Sequence, residues 1–248
     1  MRLVVLLSTF LPLSAQWLHY PTPGMPRTAD GKPNLSAPVP KTRDGKPDLS
    51  GIWSTSGDMK YLQNLAADGI EVPFLPWAAA LYKERRDNLG KGHPSERCLT
   101  HGVTDFDALG VGWKLLQTPS AIVILYEAYN HYRQILMDGR PLPEPTQPAY
   151  MGYSVGKWEG DTLVVDTRGF NDIGWLDDGG HPRTEALHVT ERFRRRDFGH
   201  MDLQLIIDDP KAYTKPWGPT LHLTLHPDEE LIESICENEK DAPHMVGK

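Results

Sequence analysis

The chain has 248 residues, 26 Lys+Arg against 33 Asp+Glu, a formal charge of −7 and two cysteines. That length suits one generous all-β domain, or a domain with an arm, and it buries a core without a metal staple. The acidic balance argues against a surface built to grip nucleic acid, and 22 Gly with 22 Pro disfavour a helical bundle.

Residues 1–16 carry Arg2, an apolar run from Leu3 to Leu13, and Ser14-Ala15-Gln16. This pattern predicts a secretory leader cut after Ala15 and an exported protein, periplasmic or extracellular. The run is shorter than the roughly 20 apolar residues that span a bilayer, and no later segment approaches that length, so no membrane span is expected. Residues 17–47 are proline-rich and contain a repeat: Thr28-Ala-Asp-Gly-Lys-Pro-Asn-Leu-Ser36 returns as Thr42-Arg-Asp-Gly-Lys-Pro-Asp-Leu-Ser50. Asp-Gly and Lys-Pro make turns, and two copies are too few for a solenoid. The repeat predicts an extended or disordered arm, or else a strap packed across the domain.

Residues 48–248 read as the folded domain. Ser50-Gly-Ile-Trp53 opens a first strand. One helix is predicted from Pro76 to Gly90, with proline in its first turn and Gly90 as its stop, and Trp77, Leu81 and Tyr82 facing the body. After Gln117 the apolar period changes to two. Strands are expected over 121–129, 131–138, 154–158, 162–167, 187–195, 200–208, 220–226 and 231–237, joined by Gly/Pro turns. Many short strands with no helices between them exclude a parallel sheet and favour an antiparallel barrel, whose closure removes exposed edges.

Cys98 and Cys236 in an exported chain most simply form one disulfide. The competing reading makes Cys98 a nucleophile beside His93 and His101.

Several stretches are more specific. Ser154-Val-Gly-Lys-Trp-Glu-Gly-Asp-Thr-Leu-Val-Val-Asp-Thr167, Glu185-Ala-Leu-His-Val-Thr-Glu-Arg-Phe193 and Asp209-Pro-Lys-Ala-Tyr-Thr-Lys-Pro-Trp217, with Arg97-Cys98 and Asp138-Gly-Arg-Pro141, run through the domain. Together they resemble a family of exported bacterial proteins with no assigned activity, over roughly Asp48 to Lys248. The opening Gly-x-Trp resembles that of lipocalin-like barrels, where the tryptophan plugs one end. The resemblance implies an all-β, lipocalin-like or calycin-like barrel with one accessory helix and an N-terminal arm. It transfers no catalytic residue. Thr100 and Tyr153 depart from the pattern, where proline and a small or polar residue are expected.

Strand parity shows which polar side chains point inward. Glu191 shares a face with Leu187, Val189 and Phe193, and Arg133 shares one with Ile135 and Met137. Glu127 lies across the hairpin from Arg133. A carboxylate on a core face is costly unless paired, so these three form the expected inward polar group. They either fix strand register or orient the polar head of a ligand, with Trp158, Trp175 and Phe170 as aromatic contacts. The enzymatic alternative is a hydrolase or lyase with Glu191 or Glu127 as base, assisted by His188 or Arg133. His181, Glu185 and His188 invite a metal reading, but no HExxH-like pattern accompanies them. No cofactor is therefore expected, with a metal at His181 and His188 as the alternative. Asp177-Asp178-Gly-Gly180 reads as a turn lacking the ligand series of a calcium loop. His222 and His226 take a solvent face, as does the arginine run from Arg192 to Arg196. Nucleophile-elbow, dinucleotide and phosphate-loop patterns are missing from the sequence.

The reading that results is an exported barrel binding a small, partly apolar molecule, with no nucleic-acid partner and no set oligomeric state. A third possibility is an envelope-interaction protein tethered by the arm.

Overall fold

A computed structural model describes residues 20–142, 147–234 and 236, and the expected leader lies outside them. Nine strands close into one barrel in chain order. They are β1 (Gly51–Ser54), β2 (Trp113–Gln117), β3 (Ala121–Tyr126), β4 (His131–Leu136), β5 (Tyr153–Glu159), β6 (Thr162–Arg168), β7 (His188–Arg195), β8 (His200–Asp208) and β9 (Thr220–Leu225). Three helices lie between β1 and β2: α1 (Lys60–Gln63), α2 (Pro76–Asp87) and α3 (Val103–Ala108).

Local chemistry explains most strands. In β3, Ile122, Ile124 and Tyr126 are buried while their neighbours are half-buried, the alternation of a sheet with one face on the core. In β7, Val189, Glu191 and Phe193 point inward as parity predicts. The β5–β6 hairpin turns in two residues, with Glu159 opposite Thr162 and Gly160 in the left-handed region at φ 62°.

The structure corrects the antiparallel expectation at one seam. β4 and β5 run parallel, paired only at Ile135–Ser154 and Leu136–Val155. The connection over 137–152 is long enough to return the chain to the start of a parallel neighbour, which a tight turn cannot do. β2 was not foreseen. It is a strand because it pairs on both edges, with β1 and β3. The strand expected over 231–237 does not form over 231–234. That stretch hangs on side chains instead, Ile232 N donating to Glu127 Oε2 (3.3 Å) and Ser234 N to Asn130 Oδ1 (3.2 Å). In α2 the buried residue is Ala78, while Trp77 is 46% exposed and ties its indole N–H to the Lys211 carbonyl.

One end of the barrel is plugged by Trp53, fully buried, whose Nε1 donates to the Leu49 carbonyl at 2.9 Å. Arg195 lies over that ring at 4.9 Å and donates to the carbonyls of Asp48, Asp197 and Phe198. Burial lowers its pKa to about 10. Arg195 is thus not on the solvated face expected for the run. The arm packs at this same end. Both repeats fold into the same turn, Thr28 N to the Lys32 carbonyl and Thr42 N to the Lys46 carbonyl, each 2.8 Å. Phe198 N and Gly199 N donate to Ala37 and Leu35, and Arg27 pairs with Asp228. Residues 20–47 therefore form a strap.

The opposite end, the mouth, is covered by the segment between β1 and β2 and by the loop between β6 and β7. Every residue of α3 is buried, and Phe106 stacks on His131 at 5.6 Å and 7°. The interior is filled by Trp113, Leu115, Ile135, Leu163, Phe193, Leu203 and Leu221, as befits a barrel of this strand number.

Candidate functional site

Two polar clusters meet α3 on opposite sides. Residues two apart on a helix point about 200° apart, so Asp105 and Asp107 face different surroundings.

Asp107 enters the barrel core. There Arg133 grips Glu191 with two guanidinium nitrogens, Nη1 to Oε1 at 2.8 Å and Nη2 to Oε2. Its Nε donates to Ser154 Oγ at 3.0 Å, and Nη2 also reaches Thr167 Oγ1 at 2.8 Å. Asp107 accepts from the Tyr126 hydroxyl at 3.2 Å, and its other oxygen has no partner among the described residues. Burial, then the charge of Glu191, push its pKa well above the usual carboxylate range. The expected pairing of Arg133 with Glu191 thus exists. Glu127 does not join it, since its carboxylate holds the backbone of Ile232, and Asp107 takes that place. A groove of about 470 Å³ along the β4–β5 seam reaches Arg133 and Ser154, but the core network already engages both side chains.

Asp105 faces the mouth. Its Oδ1 contacts His101 Nδ1 at 2.7 Å, and His101 Nε2 contacts the Tyr129 hydroxyl at 3.2 Å. His93 stands edge-on to His101 (5.2 Å) and to Trp175 (4.7 Å), with Nε2 3.4 Å from Asp178 Oδ1. One ligating atom from each of His93, Asp105 and Asp178 lies within 4.8 Å of the others. Three of these groups are shifted, each for its own reason. Burial lowers the His93 pKa. Burial also opposes charge on His101, but the hydrogen bond and charge of Asp105 outweigh it and raise that pKa. Desolvation, then the charge of Asp105, raise Asp178 to about 7.

Basic side chains frame this cluster without neutralising it. Arg85 stacks on Trp175 at 4.1 Å and donates to the Gly180 carbonyl, its pKa lowered by burial to about 10. Arg183 is 4% exposed, lies 5.2 Å from the Phe170 ring, and donates to the Tyr150 carbonyl and Asn171 Oδ1. Burial lowers it to about 10 as well. Gly102 and Gly174 press against its guanidinium, and a Cβ at either would overlap it.

The turn before His181 is built around Asp177, which accepts from the backbone N–H groups of Leu65, Gly180 and His181 and contacts His181 Nδ1 at 2.6 Å. The His181 ring stacks against Tyr82 and Phe74. His188 sits on the outer face of β7 with Nε2 on Asp166 at 2.9 Å, and Glu185 pairs with Lys211 on the surface. His181 and His188 are thus committed to separate partners, and the metal set drawn from them does not assemble. Nor does His188 assist Glu191, which points inward from the same strand. Cys98 and Cys236 form the expected disulfide, so Cys98 is no nucleophile. Trp158 is half-buried against the core from β5, Phe170 underlies Arg183, and only Trp175 among the three aromatics reaches the mouth cluster.

In the sequence His93 and His101 stand out only as neighbours of Cys98, and no motif marks Asp105, Asp107, Arg85 or Arg183. A signal was available: Val103-Thr-Asp-Phe-Asp-Ala108 sets two acids in a short apolar run between Gly102 and Gly110, where solvation of both is implausible. No protein-family model, curated protein or solved structure matches the chain.

Proposed function

We propose that this is an exported protein that binds a small, partly apolar molecule at the mouth of its barrel. Export is supported by the leader pattern and by a disulfide, which persists in oxidising compartments. Among the described residues no helix is long and apolar enough to cross a membrane. The packed interior moves the expected ligand from the barrel cavity to the mouth. The observation that carries the reading is the convergence of His93, Asp105 and Asp178 beside Trp175, with Arg85 on that ring. A few convergent polar groups on an aromatic wall are what a small-molecule site requires.

The test is a melting-temperature screen with small aromatic and aliphatic compounds, with and without carboxyl groups. A ligand at 100 times its Kd adds about 2.7 kcal/mol to the folded state. The hit should weaken in Asp178→Asn and persist in His188→Gln. If no compound stabilises the protein, the reading fails.

A second reading, acid–base catalysis by a hydrolase or lyase, is favoured by the hydrogen-bonded His101–Asp105 pair beside His93. It moves the chemistry from Glu191, Glu127 and His188 to the mouth. An activity screen in which His93→Gln abolishes turnover and Glu127→Gln does not would support it. The opposite result would remove it.

A further inference from the structure

We infer that His93, Asp105 and Asp178 form a half-open site for one divalent transition cation. The inference rests on the mouth cluster being the functional site, and it names what that site holds.

The donor set comes first. One imidazole nitrogen and two carboxylate oxygens lie within 4.8 Å of one another. The 3.4 Å between His93 Nε2 and Asp178 Oδ1 is about the edge of a tetrahedron built on metal bonds of about 2.0–2.1 Å. Asp105 is 1% exposed, and with Oδ1 on His101 its Oδ2 accepts no hydrogen bond among the described residues. Asp178 brings a second carboxylate beside it, and a cation between two like charges relieves their repulsion.

Among the described residues no Lys or Arg forms a salt bridge with Asp105 or Asp178. Arg85 spends its guanidinium on Trp175 and a carbonyl, and Arg183 on a carbonyl and an amide oxygen. The two acids therefore face one another and His93 without a salt-bridging Lys or Arg.

Outer partners orient two of the donors. Ser95 holds the His93 ring at Nδ1, its Oγ at 2.6 Å and its backbone N–H donating at 3.3 Å. A metal at Nε2 therefore requires the ring proton to sit on Nδ1 and be donated to Ser95 Oγ, and His101 fixes Asp105. Each ligand also sits on a pinned segment. His93 caps the short turn that ends at the disulfide-bonded Cys98, α3 is buried throughout, and Asp178 N donates to the Leu62 carbonyl at 2.9 Å. The Asp178 side chain is 42% exposed, which gives the ion an entry path. Three protein ligands leave a position for water or a bound molecule. A mixed nitrogen–oxygen set suits Zn²⁺ or Mn²⁺ better than Ca²⁺, which takes six to eight oxygens.

The experiment uses tag-free protein, stripped with chelator, dialysed and titrated with Zn²⁺ by calorimetry. The expected result is one Zn²⁺ per chain, at least tenfold weaker in Asp178→Asn and in His93→Gln. His222→Asn, on the outer face beside Asp202, should bind as wild type does. No saturable uptake, equal affinity in folded Asp178→Asn, or displacement by equimolar Ca²⁺ overturns the assignment. Small-molecule stabilisation that survives chelation without zinc uptake overturns the metal site and leaves the ligand reading standing. Zinc uptake without small-molecule stabilisation does the reverse.

Discussion

Glu191 is a buried carboxylate held by the guanidinium of Arg133. It lies inward on β7, and Arg133 meets it with a two-pronged grip in a site that is 0% exposed at the carboxylate. Such a pair contributes little net stability, yet breaking it strands a buried charge at about 3–5 kcal/mol. Glu191→Gln should therefore lower the unfolding free energy by about that amount in urea titrations. Asp107→Asn, which keeps the side chain's shape and still accepts from the Tyr126 hydroxyl, should change it by less than about 1 kcal/mol. His131 offers a pH-dependent counterpart. It stacks on Phe106, and burial lowers its pKa. The unfolded chain thus protonates first, so stability is present above about pH 6.5 and is lost as pH falls. In His131→Phe the drop in melting temperature between about pH 7.5 and about pH 5.5 should shrink, and an unchanged drop would show that His131 is not the group responsible.

Among the elements, the segment between β1 and β2 does most to set the site, because α3 serves both clusters and the cysteine that follows the His93 turn is clamped to the chain's end. Closing a loop across a separation of 138 residues contributes about 4–5 kcal/mol in the chain-entropy view. Reduction should lower stability by up to that amount and loosen amide protection around residues 93–108. Protection unchanged on reduction would mean that α3 is held by packing alone. Apart from α2, which its proline start and Gly90 stop announce, this segment was also the least legible in the sequence. β3, β7 and β8 announce themselves by alternation because one face of each is buried. α3 has no solvent-exposed face, so no helical period marks it, and in the five residues of β2 the exposed Leu116 breaks the apolar alternation of Trp113 and Leu115. The parallel seam was hidden for another reason, since strand direction depends on where a long loop returns the chain.

For the whole molecule, closure removes the sheet's edges, and the two ends then divide the work. The strap, Trp53 and Arg195 seal one end, while loops carrying histidine, aspartate and arginine cover the other. Parity placed Glu191 and Arg133 inward, Glu127 stays outside on the backbone of Ile232, and an inward residue in a barrel of this size meets other side chains. The mouth cluster was missed because its members come from three loops and a short helix, and only the fold brings them together. Its use as a ligand site can be tested directly by recording histidine-ring NMR spectra while adding a compound found to stabilise the protein. Binding at the mouth should shift the His93 and His101 resonances while those of His188 and His222 stay in place. Shifts confined to His188 or His222, with His93 and His101 silent, would contradict it.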